Sequence, residues 1–341
     1  MSVSPAFVAG LPKAELHVHQ VGSASPRIVA QLAARHPGTV PADEAALADY
    51  FRFDDFAHFL RIYLSVVSLV RTAEDVRLLT YEIGREMAGQ QIRYAELTVT
   101  PYLSVGPDLP AEAFLEAIED ARTGAERDFG VRLRWIFDIP ADFGLPAGEL
   151  TASVALDHDV PGLVGFGIGG SERGFPRSMF ADQFARARAA GLHAVPHAGE
   201  TTGPETVWDA LTSLHAERIE HGISAVQDPR LLAHLAEHGI ALDVCPTSNV
   251  ALSVVDDLAS HPLPALVAAG VPVTVNTDDP PMFGTTLNRE YAVAADLLGL
   301  DEAGVADLAR TAVRAAFLPA ADQAGLLAEI DAYTAATDLT S

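Results

Sequence analysis

Residues 193–221 read HAVPHAGETTGPETVWDALTSLHAERIEH and contain one complete strand–helix–strand unit. The short apolar run at 193–197 predicts a strand, the amphipathic stretch 204–214 predicts a helix, and 218–221 predicts the next strand. Both strands end in a histidine. Because two strands joined by a crossover helix run parallel, this unit predicts a parallel sheet covered by helices.

Further runs of the same kind surround this unit, separated by helical patterns such as 111–129 and 229–238. From the second strand onward they recur every 25 to 40 residues or so, which is typical of repeated βα units. Eight such strands predict a (β/α)8 TIM barrel of the α/β class, with a doubly wound open sheet as the alternative. The other six predicted strands are 15–19, 92–99, 133–139, 163–168, 240–245 and 271–276.

The first two predicted strands are separated by about 70 residues, far more than one crossover helix requires. Residues 25–90 predict a mostly helical insert, since FDDFAHFLRIYLSVVSLV (53–70) has apolar residues at helical spacing. This insert either forms a lid over the barrel mouth or only covers one end of the barrel. We find no interdomain linker, so we expect a single domain over residues 1–341.

The composition limits the partners. The 341 residues are 49% hydrophobic and carry a net charge of -24, which favours a packed core and disfavours binding to nucleic-acid polymers. The single cysteine, Cys245, excludes an internal disulfide, and we find neither a signal-peptide pattern nor an apolar run of about 20 residues. We therefore expect a cytoplasmic protein with no membrane partner; monomer and homo-oligomer both stay open.

Ionisable side chains gather where the predicted strands end. His17 and His19 are two residues apart on a strand, so their imidazoles project to the same face. Alone, such a pair is more typical of a polar strand end than of a metal site. In a closed barrel, however, His17, His19, His197 and Asp278 converge near the axis. This donor set favours Zn²⁺, with Fe²⁺ or Mn²⁺ as alternatives, and Zn²⁺ lowers the pKa of bound water from 15.7 to about 7.

Other polar residues favour structural interpretations. We expect Glu96 and Asp138 to be hydrogen-bonded groups beneath the site. Cys245 is expected to be a small packing residue and not a nucleophile, because the sequence gives it no basic neighbour. Six histidines fall in helical or loop stretches and are predicted to lie on the surface: His36, His58, His215, His234, His238 and His261.

Five motifs occur together in one order: KAELHVH, VPHAGETTGPETVWDAL, RIEHGISA, DVCPTSN and VTVNTDDPPMF. Jointly they resemble the adenosine deaminase family of the amidohydrolase superfamily, over roughly residues 11–338. The resemblance implies a hydrolase that removes the amino group of a small 6-aminopurine nucleoside. It also implies one zinc ion per chain, bound by His17, His19, His197 and Asp278.

The resemblance implies further roles. Glu200 would give a proton to purine N1, and His221 would orient the attacking hydroxide, with Asp278 also counted as catalytic. Asp279 would hydrogen-bond N7, and the backbone N–H of Gly170 would face N3; His19 and Val21 complete the predicted substrate contacts. Protonation of N1 makes C6 electrophilic, so hydroxide adds there and ammonia leaves.

The first motif departs from the classical pattern. Classical members continue with Leu-Asp-Gly, and that Asp binds the ribose 5′-hydroxyl; here the segment is Gln20-Val21-Gly22. Val21 accepts no hydrogen bond, which favours a bulky 5′ substituent. HVHQVGSAS is similar to the actinobacterial branch that deaminates 6-amino-6-deoxyfutalosine in menaquinone biosynthesis. Adenosine or 2′-deoxyadenosine, adenine, and a non-catalytic barrel that binds metal and nucleoside are the alternatives.

Two more departures affect the substrate pocket. GFGIGGSERG lacks the acidic residue that usually precedes the glycine of the fourth strand, and Thr98 stands where many members carry Arg. Neither change touches the predicted metal ligands.

Overall fold

A computed structural model describes residues 3–338. Eight strands run parallel, each beside the strand that follows it in sequence. Val18 and Asp278 close the sheet: His19 N donates to Asp278 O at 2.9 Å, and Asp278 N donates to His17 O at 3.1 Å. The predicted TIM barrel is confirmed. The strands are β1 (Lys13–His19), β2 (Ile92–Val99), β3 (Arg132–Pro140), β4 (Leu163–Gly169), β5 (His193–Ala198), β6 (Arg218–His221), β7 (Ala241–Val244) and β8 (Val273–Val275).

The last two strands are shorter than predicted. Gly239 caps the preceding helix with φ 65°, so Ile240 still belongs to the turn and not to β7. Pro272 has no N–H to donate to a strand ladder, and β8 begins only at Val273. Cys245 is the residue before a short helix and not the last residue of β7.

Helices separate the strands along the chain. The predicted stretches 111–129 and 229–238 are helices with those bounds, while 204–214 is helical only to Asp209 and then forms a π-helical turn, Ala210–Leu214. The helices are α1 (Pro5–Gly10), α2 (Pro26–Arg35), α3 (Glu44–Tyr50), α4 (Phe56–Val67), α5 (Ala73–Gly89), α6 (Pro101–Ser104), α7 (Ala111–Phe129), α8 (Gly144–Leu156), α9 (Ala181–Ala189), α10 (Pro204–Asp209), α11 (Pro229–His238), α12 (Pro246–Ala251), α13 (Leu263–Ala268), α14 (Pro280–Phe283), α15 (Leu287–Leu298), α16 (Glu302–Ala315) and α17 (Ala320–Asp338).

The insert between β1 and β2 contains α2 to α5. Helix α5 packs on α7 so closely that a Cβ on Gly84 would lie 2.7 Å from Ala125 Cβ, which identifies α5 as the crossover helix of the first βα unit. Helix α4 reaches the mouth of the barrel, because its Phe59 ring lies 5.2 Å from the ring of Phe283 in α14, the short helix after β8. Among residues 3–338, no helix is long and apolar enough to cross a membrane.

A buried ion-pair network fills the barrel below the mouth. Arg218 Nε and Nη2 donate to Asp243 and Glu96, each at 2.5 Å, and the guanidinium carbon lies 4.5 Å from the Phe317 ring centroid. All three charged groups are almost completely excluded from solvent. Glu96 therefore has the structural position expected from the sequence, since its charge is paired where a lone carboxylate would be strongly disfavoured.

Candidate active site

The four predicted metal ligands converge at the C-terminal mouth of the barrel. His17 and His19 lie in β1, His197 lies in β5, and Asp278 follows β8. The ring centroids of His17 and His197 are 4.8 Å apart, and those of His19 and His197 are 5.3 Å apart. Asp278 Oδ1 lies 3.3 Å from His19 Nε2 and 3.7 Å from His17 Nε2.

His221, at the end of β6, adjoins the same cluster. Its Nε2 lies 3.8 Å from Asp278 Oδ2, and its ring centroid lies 4.6 Å from that of His17. One donor atom each from His17, His197, His221 and Asp278 lies within 4.8 Å of the others, a spacing at which these groups could hold a metal ion. His19 belongs to a second such group with Asp278 and Asp279. The geometry thus joins all four predicted ligands through Asp278 and places His221 beside them.

Neighbouring groups orient the imidazoles. His197 Nδ1 lies 2.6 Å from Glu220 Oε2, and His17 Nδ1 lies 3.2 Å from Asp243 O. These contacts leave the Nε2 atoms for the centre of the cluster. His17 Nε2 is buried, and the described residues offer it no hydrogen-bond partner. A cation fits this orphaned nitrogen, because a buried polar atom without any partner is unfavourable.

Two residues of the site have strained backbones. His221 has φ 62° and Asp278 has φ 65°, in the left-handed region that side chains other than glycine rarely adopt. Such conformations cost about 1–3 kcal/mol each and cluster at functional sites. The N–H and the C=O of Asp278 both hydrogen-bond to the backbone of β1, and Ser248 Oγ donates to Asp278 Oδ2 at 2.6 Å. The side chain of His221 is contacted by Asn249, whose Nδ2 lies 3.3 Å from His221 Nδ1.

Glu200, three residues after His197, faces the same cluster. Its Oε1 is buried without a hydrogen-bond partner among the described residues and lies 3.6 Å from His221 Nε2. Burial, followed by the negative charge of Asp278, raises the pKa of Glu200 to about 8. Glu200 also lines an open cavity of about 1000 Å³ between the loops that follow β5, β6 and β7. The group is therefore suited to hold a proton near neutral pH.

Asp279 lies on the other side of Asp278. It is buried, and its Oδ1 has no hydrogen-bond partner among the described residues. Burial and the adjacent charge of Asp278 raise its pKa well above the usual range, which favours a protonated side chain that donates a hydrogen bond. A Cβ on Gly22 would lie 1.6 Å from Asp279 Oδ1, so the turn that contains the buried Val21 packs directly against this carboxyl group.

Tyr63 of α4 adds a hydroxyl group from the insert. Burial and then the charges of Asp279 and Asp138 raise its pKa well above the usual value, and the hydroxyl hydrogen-bonds with Thr100. Thr100 Oγ1 in turn donates to Asp138 Oδ1 at 2.5 Å. Asp138 is hydrogen-bonded as expected, but it lies beside His19 at the mouth and not beneath the site, since its charge acts on His19.

Gly170 follows β4 at the same rim. Its φ is 77°, and a Cβ would lie 2.4 Å from Asp142 Oδ2, so only glycine suits this position. The preceding Gly169 is close to the predicted ligands, because its Cβ would lie 3.6 Å from His197 Cε1. The predicted substrate contact at Gly170 therefore lies next to the cluster.

Several residues of the site were not predicted. Glu220 orients His197, and Thr98, one of the departures, donates to Glu220 Oε1 at 3.2 Å. The sequence signal for Glu220 is its place next to the last residue of a strand, but its pairing with His197 of the neighbouring strand β5 is visible only in the fold. Ser248 and Asn249 occur within the motif DVCPTSN, but the sequence analysis predicted no role for either residue.

Two histidines that were predicted on the surface are buried or partly buried, and the single cysteine has an unexpected neighbour. His261 is not on the surface: it is 3% exposed, and its Nε2 lies 3.1 Å from Asn249 Oδ1. His36 is only partly exposed, because it pairs with Asp75 at 2.7 Å. Cys245 is buried as expected, but it has a basic neighbour, since His17 Nδ1 lies 3.5 Å from its Sγ. Burial raises the pKa of this thiol well above its usual value, as expected for a packing residue.

The chain matches the sequence profile of the adenosine deaminase family over residues 12–333. It belongs to the adenosine deaminase family. The aminodeoxyfutalosine deaminase of Streptomyces avermitilis is 64% identical over 333 residues, which are 97% of this chain and 93% of that protein. The adenine deaminase of Chelativorans sp. is 40% identical, over 94% of this chain and 98% of that protein.

Two solved structures have the same fold. The adenine deaminase of Arthrobacter aurescens superposes with a TM-score of 0.88 at 31% identity, over 95% of this chain and 99% of that one. An amidohydrolase of Burkholderia ambifaria with bound zinc gives a TM-score of 0.90 at 24% identity, over 98% of this chain and 96% of that one, which supports the fold alone. Family membership confirms the predicted enzyme class, a metal-dependent deaminase.

Proposed function

We propose that this member of the adenosine deaminase family deaminates 6-amino-6-deoxyfutalosine, with one zinc ion per chain. The observation that carries the choice of substrate is Val21, an apolar side chain in the turn against Asp279, where classical members place an acid for the ribose 5′-hydroxyl. An apolar contact there suits a nucleoside whose 5′ carbon bears a large substituent. The relative that is 64% identical is named for this substrate.

The donor set of the cluster supports the proposed metal. His17, His19, His197 and Asp278 would hold the ion, and imidazole nitrogens with one carboxylate suit Zn²⁺. When bound, the ion activates water for hydrolysis near neutral pH. The orphaned Nε2 of His17 supports this assignment independently of the relatives.

The remaining residues bind the purine and move protons. Glu200, kept protonated by burial, donates to purine N1, and this makes C6 electrophilic. Water adds at C6 while His221 beside Glu200 takes one of its protons and passes it to the amino group. The C6–N bond then breaks to release ammonia, and the second proton of the added water returns to Glu200 as C6 becomes a carbonyl. Asp279 donates a hydrogen bond to N7, which can only accept. Its raised pKa suits this position because it keeps the carboxyl group protonated. The N–H of Gly170 faces N3.

The insert between β1 and β2 contributes side chains to the mouth of the barrel. Tyr63 and Phe59 of α4 reach the groups at the mouth, which favours a lid for residues 25–90 over a simple cover of the barrel end. We further propose that residues 1–341 form one domain and that the protein is cytoplasmic, as a monomer or as a homo-oligomer.

Steady-state kinetics on the zinc-loaded enzyme tests the substrate. We expect kcat/KM for 6-amino-6-deoxyfutalosine to exceed that for adenosine, 2′-deoxyadenosine and adenine by a factor of about 10² or more. Val21 leaves the free 5′-hydroxyl of the two nucleosides unpaired, and adenine lacks the 5′ substituent altogether. A higher value for adenosine or adenine would assign the enzyme to that substrate instead. Absence of turnover with all four would favour a barrel that only binds nucleosides.

Val21→Asp is the matched variant. It restores an acceptor for a 5′-hydroxyl, so we expect the preference to move toward adenosine while the metal content stays unchanged. If the ratio of kcat/KM values does not move, Val21 does not determine the substrate.

A further inference from the structure

The loop that carries Glu200 is held by a buried carboxylate with no part in the proposed chemistry. Glu172 is 5% exposed and follows β4. Its Oε1 accepts from the backbone N–H of Glu200 at 2.8 Å and of Thr201 at 2.9 Å. Its Oε2 accepts from Gly199 N at 2.8 Å and from the hydroxyl of Thr202. The hydroxyl of Thr201 also donates to Oε1, at 3.5 Å, so five donors of one turn converge on one side chain.

The turn adopts an unusual backbone that these contacts stabilise. Gly199 has φ 69°, and a Cβ there would lie 2.4 Å from Ser224 Oγ and from Val207 Cγ2. Successive N–H groups that point the same way form an anion-binding concavity, and here the chain fills it with its own carboxylate. The direction of the Glu200 side chain depends on this backbone.

The same loop also holds the start of the turn. Buried Arg177 donates through Nε to His197 O at 2.8 Å and through Nη1 to Ser171 O at 3.4 Å. The segment after β4 therefore binds residues 197–202 at both ends. The guanidinium of Arg177 binds the His197 end, and the carboxylate of Glu172 binds the turn that follows.

We infer that Glu172 is a positioning residue that fixes the carboxyl group of Glu200 against the substrate. This inference rests on the proposed role of Glu200 as the proton donor. A proton donor displaced by about 1 Å loses much of its effect, whereas substrate binding through Asp279, Gly170 and Val21 does not depend on this turn. Loss of Glu172 should therefore lower kcat and leave KM almost unchanged.

Glu172→Gln tests the inference with little change of volume. One of the two acceptor oxygens becomes an NH₂ group, so the backbone N–H groups that donate to that oxygen lose their acceptor. We expect kcat for 6-amino-6-deoxyfutalosine to fall by about 10- to 100-fold, while KM and bound zinc stay within about twofold. Glu149→Gln is the control, because that exposed carboxylate pairs only with side chains of α9 on the outside of the barrel, and its kcat should not change.

A double-mutant cycle separates positioning from general loss of structure. In the Glu200→Gln background, Glu172→Gln should lower kcat by less than about twofold, because the group that it positions is already disabled. Thr202→Val removes a single donor to Glu172; it should lower kcat by about two- to fivefold in the wild-type background and have no effect in the Glu200→Gln background. This milder variant keeps the test valid if Glu172→Gln folds poorly.

The outcomes distinguish this inference from the proposed function. If kcat of Glu200→Gln falls as expected but the Glu172 and Glu200 effects multiply, Glu172 acts independently and only the inference is wrong. A rise in KM or a loss of zinc at unchanged kcat overturns it as well. If Glu200→Gln keeps wild-type kcat, the proposed proton donor is wrong, and the inference fails with it.

Discussion

Glutamine in place of Glu200 keeps the shape of the side chain and removes the proton that it would donate. Glu200 is not among the predicted ligands, so we expect Glu200→Gln to retain zinc. We expect kcat/KM to fall by about 10²- to 10⁴-fold, the usual contribution of a general acid. Metal analysis and steady-state kinetics on the same sample measure both. Substantial remaining turnover would remove Glu200 from this role.

The pH profile gives the matching readout for Glu200. Its pKa is raised to about 8 by burial and by Asp278, and only the protonated form donates. Activity should therefore be present below this value and fall as the pH rises through it, by about tenfold per pH unit. In Glu200→Gln, the low residual activity should lack this alkaline decline.

Glu220 supports the site from behind His197. Its Oε2 lies 2.6 Å from His197 Nδ1, and the carboxylate is completely buried. Glu220→Gln should weaken zinc binding by about 10- to 100-fold, because a carboxylate behind a ligand histidine orients the ring and raises its basicity. Competition with a chromogenic chelator measures this. Glu217→Gln, an exposed neighbour that pairs with His193, should bind zinc normally; equal affinities in both variants would contradict the role of Glu220.

Strand periodicity explains why some site residues were found from sequence. His17 and His19 share a face because they are two apart, and barrel closure brings them to His197 and Asp278. Their roles as ligands stay a prediction. Contacts such as that of Glu172 with the turn after β5 depend on how two loops pack, and no local pattern encodes this. His261 was misplaced because HPLP looks like an exposed loop until Asn249 covers it.

At the level of elements, Asp75 joins α2 to α5. This buried carboxylate at the start of α5 accepts from Arg35 Nε at 2.5 Å and contacts His36 Nε2 at 2.7 Å, at the end of α2. It also completes a capping box with Thr72. Asp75→Asn should lower the free energy of unfolding by about 2 kcal/mol or more, because several donors lose a buried, charged acceptor. Urea denaturation measures the change.

The role of Asp75 between α2 and α5 can also be tested by lowering the pH and by a control substitution. Although burial opposes it, hydrogen bonds from His36, Thr72 and Arg35 lower the pKa of Asp75. Its stabilisation is therefore complete above the pKa of an unfolded aspartate and is lost as the pH falls through the lowered value. Asp120→Asn breaks an exposed pair with Arg77 and should change stability by less than about 0.5 kcal/mol. An equally small effect at Asp75 would refute its role as a joint.

Some helix boundaries could be predicted from nearby residues, and others depend on contacts with distant parts of the chain. Helices α7 and α11 have the predicted bounds because Gly130 and Gly239 end them with a left-handed residue, a signal that is present in the sequence. The stretch after α10 widens into a π-helical turn that ends at His215, φ 55°. No residue type there announces this change, which occurs where the chain packs against α9 and β5.

For the whole molecule, the proposed ion should contribute to thermal stability. A ligand that binds only the folded state at 1,000 times its Kd adds about 4 kcal/mol. Removal of zinc with dipicolinate should lower Tm by about 5–10 °C, and added Zn²⁺ should restore it. Differential scanning calorimetry follows both steps. An unchanged Tm in protein shown to be metal-free would argue that the cluster binds no structural ion.

The bridge between Val18 and Asp278 has a consequence for biosynthesis. It joins the strand that leaves the ribosome first to the one that leaves it last, and the proposed ligands are divided between them. A nascent chain that stops before residue 278 has its histidines but not the aspartate that unites them. Zinc capture would therefore come late in the synthesis of each molecule, and an ion held by this set would mark chains that have been extended past residue 278.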